Sequence, residues 1–321
     1  MSTYPTNEEI GQMLLMGTGE SLLTCTRFPT GLCHFVFDVV ARSGKRFVVR
    51  VASAGNEARI DGSVYWTSLL RPIGIPLPTI HYRGVLSGRH FTILERLPGT
   101  DLGNVFTQLA PTELRAIARA IVDLQDRMRE LPVGSGYGFG TSYQGPYSSP
   151  TWAAFIEMML ARSSDRCQRA GIVDVAWIDR VRAHTERFTR YFASIEPRPF
   201  LDDLTIKNVL VSENKLAGII DVDEVCFGDH LLHAGLVRMA ILDNGWDEDF
   251  VTELCRYSGY GRAEQGALTF YTALYCVDFL GELGHTFNRN RQRNGQELAV
   301  YRRTQILESL LAELGDLNQP G

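Results

Sequence analysis

The chain of 321 residues lacks a long hydrophobic run and an excess of positive charge. Its longest mostly apolar stretch, Ala267–Val277, is far shorter than the roughly 20 residues that a transmembrane helix requires. The 32 Lys and Arg residues are outnumbered by 37 Asp and Glu residues, so the formal charge is 32 − 37 = −5. The short apolar run makes a membrane span unexpected. A surface that binds the backbone of a nucleic acid needs an excess of Lys and Arg, so we do not expect a nucleic-acid partner either.

The cysteines also lack a functional pattern. None of the six belongs to a Cys-x-x-Cys pair or to a spacing with histidine that would indicate a metal site. The first residues contain Glu8 and Glu9, where a secretory signal would carry basic residues. We therefore expect a cytoplasmic protein with reduced thiols, and its length predicts two domains or lobes at roughly 150 residues each.

The first hundred residues show the pattern of β-structure. Two apolar, β-branched runs flank a turn at 42–45, which indicates a hairpin. The pattern predicts strands at 31–41 and 46–52, a helix at 56–70, and strands at 79–83 and 90–95. A turn at 97–99 then ends this part of the chain.

After residue 110 the hydrophobic period becomes helical. Apolar residues recur at alternating spacings of three and four from Leu114 to Leu131, between Pro111 and Pro132. Helices are also predicted at 151–170, at 175–194 and over most of 234–316. We therefore predict an α+β fold with a small β-rich lobe at 1–98 and a larger, mostly helical lobe at 99–321.

One β-hairpin is predicted inside the helical half, at 208–221. Its strands run in opposite directions from a turn near Asn214, so Asn208 and Asp221 lie at the same open end. Asp203 precedes Asn208 by five residues, in a polar stretch that can fold over that end. Each residue alone is an ordinary turn former, but together they offer oxygen ligands for Mg²⁺ and one further carboxylate. Phosphoryl transfer uses such a set.

These residues resemble the signature of the aminoglycoside phosphotransferase family, small-molecule kinases with a two-lobed, protein-kinase-like fold. The family pattern is His-Gly-Asp, four residues, Asn, then Ile-Asp-Phe or Ile-Asp-Trp, then Gly-Asp. The resemblance extends from about residue 31 to 240 and implies ATP and Mg²⁺ as cofactors. It implies that Asp203 is the catalytic aspartate, that Asn208 and Asp221 bind Mg²⁺, and that Asp229 has a structural role.

The chain departs from this pattern in several places. Leu201 replaces the histidine of the motif and Asp202 replaces its glycine, while His233 stands where family members often have an aspartate. Because the histidine of the motif mainly supports the catalytic loop, Leu201 implies a repacked support. A weakened or inactive nucleotide-binding sensor therefore remains an alternative to an active kinase.

The resemblance also implies a nucleotide site in the first lobe. Arg50 occupies the position of the lysine, sometimes arginine, that contacts the α and β phosphates. Its acidic partner is open: we take Glu57 as the candidate, although alignment on 75–78 puts Ser63 nearer the expected position. Gly31 belongs to the turn expected over the phosphates, where backbone N–H groups can face anions, and an ordinary hairpin turn is equally compatible with it.

The segment around the predicted lobe boundary resembles the adenine-binding connector of the family. There the carbonyl of Glu95 and the amide of Leu97 would meet the edge of the base. Because backbone atoms make both contacts, the side chains contribute little to this role.

The sequence gives weaker signals for the acceptor than for the catalytic and nucleotide-binding residues. The acidic segment 243–249 lies where this family binds a cationic acceptor, but acids are also common in the first turn of a helix. We expect transfer to a hydroxyl of an aminoglycoside-like molecule, with an amino alcohol or sugar as the alternative. Paired carboxylates could also indicate a hydrolase, but nothing else supports that interpretation. A basic cluster at 289–293 is expected to be a solvated loop.

Overall fold

A computed structural model describes residues 4–29, 31, 33–262, 264–285 and 296–316. Its first lobe is built on a five-stranded antiparallel sheet with the strand order β1-β2-β3-β5-β4. The elements are α1 (Asn7–Thr18), β1 (Leu22–Arg27), β2 (His34–Ala41), β3 (Arg46–Ala52), α2 (Glu57–Leu70), β4 (Ile80–Leu86) and β5 (Arg89–Glu95). Helix α1 packs on this sheet through Ile10, Met13 and Leu14, all fully buried.

The central strand β3 presents different chemistry on its two faces. Val49 and Val51 point into the apolar core shared with α1, because side chains alternate along a strand. Arg50 lies between them in the sequence and faces the other lobe, and its backbone pairs with Val36 on β2 and Thr92 on β5. The central position of β3 in the sheet therefore places one cation at the cleft between the lobes.

The second lobe begins directly after the connector. Strand β6 (Thr100–Asp101) belongs to a separate sheet, in which it pairs with β9 (Val209–Ser212), and β9 pairs in turn with β10 (Lys215–Ile219). A further small sheet has the order β7-β11-β8, with strands β7 (Gly138–Gly140), β8 (Pro199–Phe200) and β11 (Val225–Phe227).

Helices make up most of this lobe. They are α3 (Leu102–Val105), α4 (Pro111–Arg129), α5 (Trp152–Ala170), α6 (Ala176–Arg182), α7 (Thr189–Ser194), α8 (Leu231–Asn244), α9 (Asp249–Tyr257), α10 (Gln265–Gly281) and α11 (Gln296–Asp316). The core of the lobe forms around α5, α8 and α10. Helix α10 is buried on nearly all sides, which agrees with its apolar sequence.

Helix α2 connects the two lobes. Its Trp66 and Leu70 are fully buried in an apolar cluster whose other members come largely from the second lobe, including Leu102 and Ile117. The indole nitrogen of Trp66 also donates to the carbonyl of Gly140 at 2.9 Å. Truncating a buried tryptophan to alanine costs about 3–5 kcal/mol, so this contact is a substantial part of the lobe interface.

The α+β, two-lobed fold predicted from the sequence is confirmed. The predicted elements of the first lobe, the hairpin at 208–221 and the helix after Pro111 are present within a few residues. Helix α1 and strand β1 were not predicted, and the helix predicted at 175–194 is divided into α6, a 3₁₀ turn at Thr185–Phe188 and α7. Throughout the described ranges, the helices are too short or too polar to span a membrane.

Candidate active site

The β9–β10 hairpin brings the three motif residues together. The amide of Ile220 donates to the carbonyl of Asn208 at 3.0 Å, which closes the end of the hairpin where Asp221 follows. The side-chain nitrogen of Asn208 donates to the carbonyl of Asp203 at 3.0 Å and so holds the preceding loop over the same end. Asp221 adopts a left-handed backbone with φ of 67°, an unusual conformation for a residue other than glycine that often marks a functional position.

Asp203 has the electrostatic environment of a general base. Loss of solvation and the nearby charge of Asp221 raise the pKa of its carboxyl to about 7, although hydrogen bonds from Thr205 and Asn208 oppose the rise. Although protein atoms surround much of the carboxyl, Asp203 keeps an exposed surface, so an acceptor hydroxyl can reach it. A carboxylate whose pKa lies near neutrality suits proton transfer at physiological pH.

Two polar side chains, Gln125 and His233, bind the backbone of the loop that carries Asp203. Gln125 on α4 donates to the carbonyl of Leu201 at 2.6 Å and accepts from its amide at 3.1 Å. The Nε2 of His233 lies 3.2 Å from the carbonyl of Leu204, and burial lowers the pKa of this histidine to about 4, so it is neutral and donates. Leu201 therefore packs in an apolar core while its backbone is bound by Gln125, in accord with the repacked support that we predicted.

Arg50 lies against the same end of the hairpin as Asp203 and Asp221. Its Nη2 donates to Oδ1 of Asp221 at 2.7 Å and to Oδ2 of Asp223 at 2.8 Å, and its Nη1 lies 2.8 Å from Oδ1 of Asp223. Burial alone would lower the pKa of this guanidinium, but Asp223 and Asp221 raise it above its ordinary value. Arg50 is thus a permanent cation, 5% exposed, at the predicted phosphate position.

Asp223 is a residue that sequence reasoning missed. It is 5% exposed and also accepts from Nε2 of His34 at 2.8 Å. Burial would raise the pKa of its carboxyl, but Arg50 and His34 hold that pKa well below the ordinary value. The only signal in the sequence was the acidic run that follows Ile220, in which Asp223 could not be distinguished from its neighbours.

The structure does not bring Glu57 and Arg50 together. Glu57 accepts a hydrogen bond from the amide of Gly55 at 3.1 Å, at the start of α2. Ser63, the other position that we considered, has its hydroxyl 3.5 Å from Nη1 of Arg50. The expectation that an acid on α2 pairs with Arg50 is therefore corrected: the acidic partners come from the second lobe.

The other predicted nucleotide residues are Gly31, Glu95 and Leu97. A Cβ added at Gly31 would come within 2.5 Å of the carbonyl oxygen of His34, so only glycine fits this close approach of the backbone. Glu95 ends β5, and its carboxylate accepts from the amide and hydroxyl of Thr79 at 3.0 and 2.7 Å. Leu97 follows in the connector and packs against Gly218 of β10. Their roles toward a nucleotide stay predictions.

Asp229 lies in a buried polar network below the site. Its Oδ2 accepts from the hydroxyls of Tyr191 at 2.6 Å and Tyr271 at 2.8 Å, and its Oδ1 accepts from the amide of Leu231 at 3.0 Å. Tyr271 in turn accepts from the indole of Trp152 at 2.7 Å. The carboxylate thereby ties β11 and α8 to the core, which is consistent with the structural role implied for it.

Two of the four acids in the segment 243–249 are paired with arginines. Asp243 pairs with Arg303 at 2.8 Å, and Glu248 pairs with Arg238 at 2.6 Å. Asp249 lies in the first turn of α9, where the helix dipole favours an acid. The basic cluster at 289–293 lies outside the described residues.

The donor set at the cleft fits Mg²⁺. Asp221 offers a carboxylate whose side chain is 54% exposed, and Asn208 offers an amide oxygen, because its nitrogen is the atom that donates to Asp203. Oxygen ligands of this kind are those that Mg²⁺ takes when nucleotide phosphates complete its coordination. In the part of the chain described, no group of three or more His, Cys, Asp and Glu residues is arranged to hold a metal ion by itself.

Comparisons with solved structures reveal the same fold in several kinases. A thermostable mutant of aminoglycoside phosphotransferase APH(4)-Ia, in a ternary complex with AMP-PNP and hygromycin B, is 19% identical, with a TM-score of 0.65 over 94% of this chain and 98% of that one. APH(2")-IIIa in complex with GDP and kanamycin is 14% identical, with a TM-score of 0.66 over 94% and 98%. A protein from Haemophilus somnus 129PT, assigned as a fructosamine-3-kinase, is 16% identical, with a TM-score of 0.63 over 93% and 96%.

The sequence itself also matches a family. No curated protein matches the chain. The model described as the phosphotransferase enzyme family, however, matches residues 24–268, about three quarters of the chain and the whole of the site described above. The chain therefore belongs to the phosphotransferase enzyme family, as the resemblance to the aminoglycoside phosphotransferases indicated.

Proposed function

We propose that this protein is an ATP- and Mg²⁺-dependent kinase that transfers the γ-phosphoryl group to a hydroxyl of a small molecule. The observation that carries the proposal is the convergence of Asp203, Asn208 and Asp221 at one end of a hairpin, opposite the buried cation Arg50. Phosphoryl transfer needs little covalent chemistry from the protein, and positioning and charge stabilisation supply most of the catalysis.

Each of these side chains has a distinct role. Asp203 orients the acceptor hydroxyl and receives its proton, since its pKa of about 7 makes it a competent base near neutrality. Asn208 and Asp221 would hold Mg²⁺, which neutralises charge on the β and γ phosphates when it is bound. Arg50 donates to the α and β phosphates through its planar guanidinium.

We further propose that the acceptor is an aminoglycoside or another amine-bearing sugar. The solved relatives were crystallised with hygromycin B and with kanamycin, and a third is assigned as a fructosamine kinase. The pairing of Asp243 and Glu248 with arginines means that the acidic segment gives only weak support to a cationic acceptor. The exposed carboxylates of Asp203 and Asp221 are the acids that such a cation would meet in the cleft.

The test is ATP turnover with Mg²⁺ over a panel of aminoglycosides, amino alcohols and aminated sugars, with Asp203→Asn as the matched variant. We expect one class to stimulate turnover and Asp203→Asn to reduce kcat by about 10²–10⁴, the usual contribution of a general base. Turnover that Asp203→Asn leaves unchanged would refute the mechanism. ATP binding without turnover on any acceptor would favour a nucleotide sensor instead, the alternative suggested by Leu201.

A further inference from the structure

Arg50 has two acidic partners, and they differ sharply in exposure. The side chain of Asp221 is 54% exposed, whereas Asp223 is 5% exposed. Oδ2 of Asp223 accepts from Arg50 and His34, and its Oδ1 lies 2.8 Å from Nη1 of Arg50 in an ion pair. Asp221 is therefore open to a cation from solvent, while Asp223 is enclosed by protein groups.

Helix α2 is too close to this pair to supply an acid of its own. A Cβ added at Gly62 would overlap the backbone carbonyl of Asp223. The next residue, Ser63, already reaches Arg50 with the shortest polar side chain available, at 3.5 Å. Because the helix backbone lies against residue 223, the counter-ion for Arg50 comes from the facing loop.

We propose that Asp223 is a positioning residue that fixes Arg50 for the nucleotide phosphates, and that His34 orients Asp223 for this role. The inference rests on the proposed kinase function. Asp223 holds the guanidinium in place while Asp221 binds the metal ion, so each carboxylate has a separate role. His34 also lies beside Gly31, since the carbonyl oxygen of His34 would be 2.5 Å from a Cβ added there.

Removing the charge of Asp223 makes Arg50 dependent on Asp221 alone. The guanidinium then competes with Mg²⁺ for that carboxylate, and it leaves its position beside the phosphates. A purely structural role for Asp223 would change the folded fraction but would not change the Mg²⁺ requirement of the folded protein.

The experiment compares Asp223→Asn with Asp61→Asn, which removes one acid from the exposed side of α2 in an ion pair with Arg83. Binding of the fluorescent analogue mant-ATP is titrated at several Mg²⁺ concentrations, and KM for ATP and kcat are measured in ATP hydrolysis. We expect Asp223→Asn to weaken mant-ATP binding and raise KM at least tenfold, with a higher Mg²⁺ requirement. Asp61→Asn is expected to stay within twofold of wild type.

A second variant keeps the charge of Asp223 but removes the ring of His34 that contacts it. Where Asp223→Asn does not fold, His34→Gln replaces it, because it leaves the acid charged. In that variant a threefold or larger rise in KM for ATP supports the inference, and a wild-type KM overturns it.

The outcomes separate this inference from the proposed function. Asp223→Asn that binds mant-ATP with wild-type affinity and Mg²⁺ requirement overturns the role of Asp223 while leaving a kinase intact. Full turnover by Asp203→Asn would refute the proposed mechanism, whereas a tenfold loss of mant-ATP binding in Asp223→Asn would still support the placement of Arg50.

Discussion

Replacing His233 with glutamine removes a titrating group from the support of the catalytic loop while keeping a donor for the carbonyl of Leu204. His233 is buried, and its pKa falls from an ordinary 6.5 to about 4 because burial disfavours the charged ring. Between these two values the unfolded chain binds a proton that the folded protein does not. Stability is therefore lost as the pH falls through this window.

The magnitude follows from the two pKa values. From pH 7 to pH 5, a histidine that shifts from 6.5 to about 4 on folding costs about 2 kcal/mol of stability, at about 1.4 kcal/mol per pH unit. Wild-type protein should lose that amount more than His233→Gln over the same interval. The neighbouring His230 also has a pKa lowered by burial, but it is present in both proteins and largely cancels in the comparison.

The assay is urea unfolding of both proteins at pH 7, 6 and 5, followed by tryptophan fluorescence and analysed by linear extrapolation. We expect the free energy of unfolding of the wild type to fall by about 2 kcal/mol more than that of His233→Gln between pH 7 and pH 5, since only the wild type carries this proton-linked loss. Parallel pH dependences in the two proteins would refute the conclusion that His233 is held neutral in the folded state.

Two further substitutions test the supports of the site. Arg50→Ala removes the cation proposed to meet the phosphates, so we expect KM for ATP to rise in steady-state assays; an unchanged KM would place this side chain outside the nucleotide site. Gln125→Leu leaves the buried amide and carbonyl of Leu201 without partners, and we expect a loss of about 1–3 kcal/mol in denaturant unfolding. Stability equal to wild type would show that these two hydrogen bonds contribute little.

The catalytic hairpin could be predicted because its information is local. Asp203, Asn208 and Asp221 lie within 19 residues, and strand alternation with one turn is enough to place them at a common end. The start of helix α1 is also encoded locally, by a capping motif. Thr6 and Glu9 form a capping box, in which each side chain binds the backbone of the other.

The partners of Arg50 could not be predicted in the same way. Asp223 follows it by 173 residues, and no local pattern encodes a contact between a strand of one lobe and a loop of the other. The resemblance to the family pointed to an acid on α2. The backbone of α2 at Gly62 lies so close to the facing loop that no room is left there for an acidic side chain. The helix predicted at 175–194 breaks for a related reason, since tertiary packing overrides local helix propensity.

The contact of Arg50 with the facing lobe has a consequence for nucleotide exchange. Two of its three side-chain partners, Asp221 and Asp223, lie across the cleft, and His34 crosses it as well. Opening the cleft would therefore break these contacts together, and because Asp223 and His34 are buried, the ion pair resists separation of the lobes. Under the proposed kinase function, we expect nucleotide exchange to depend on breaking them.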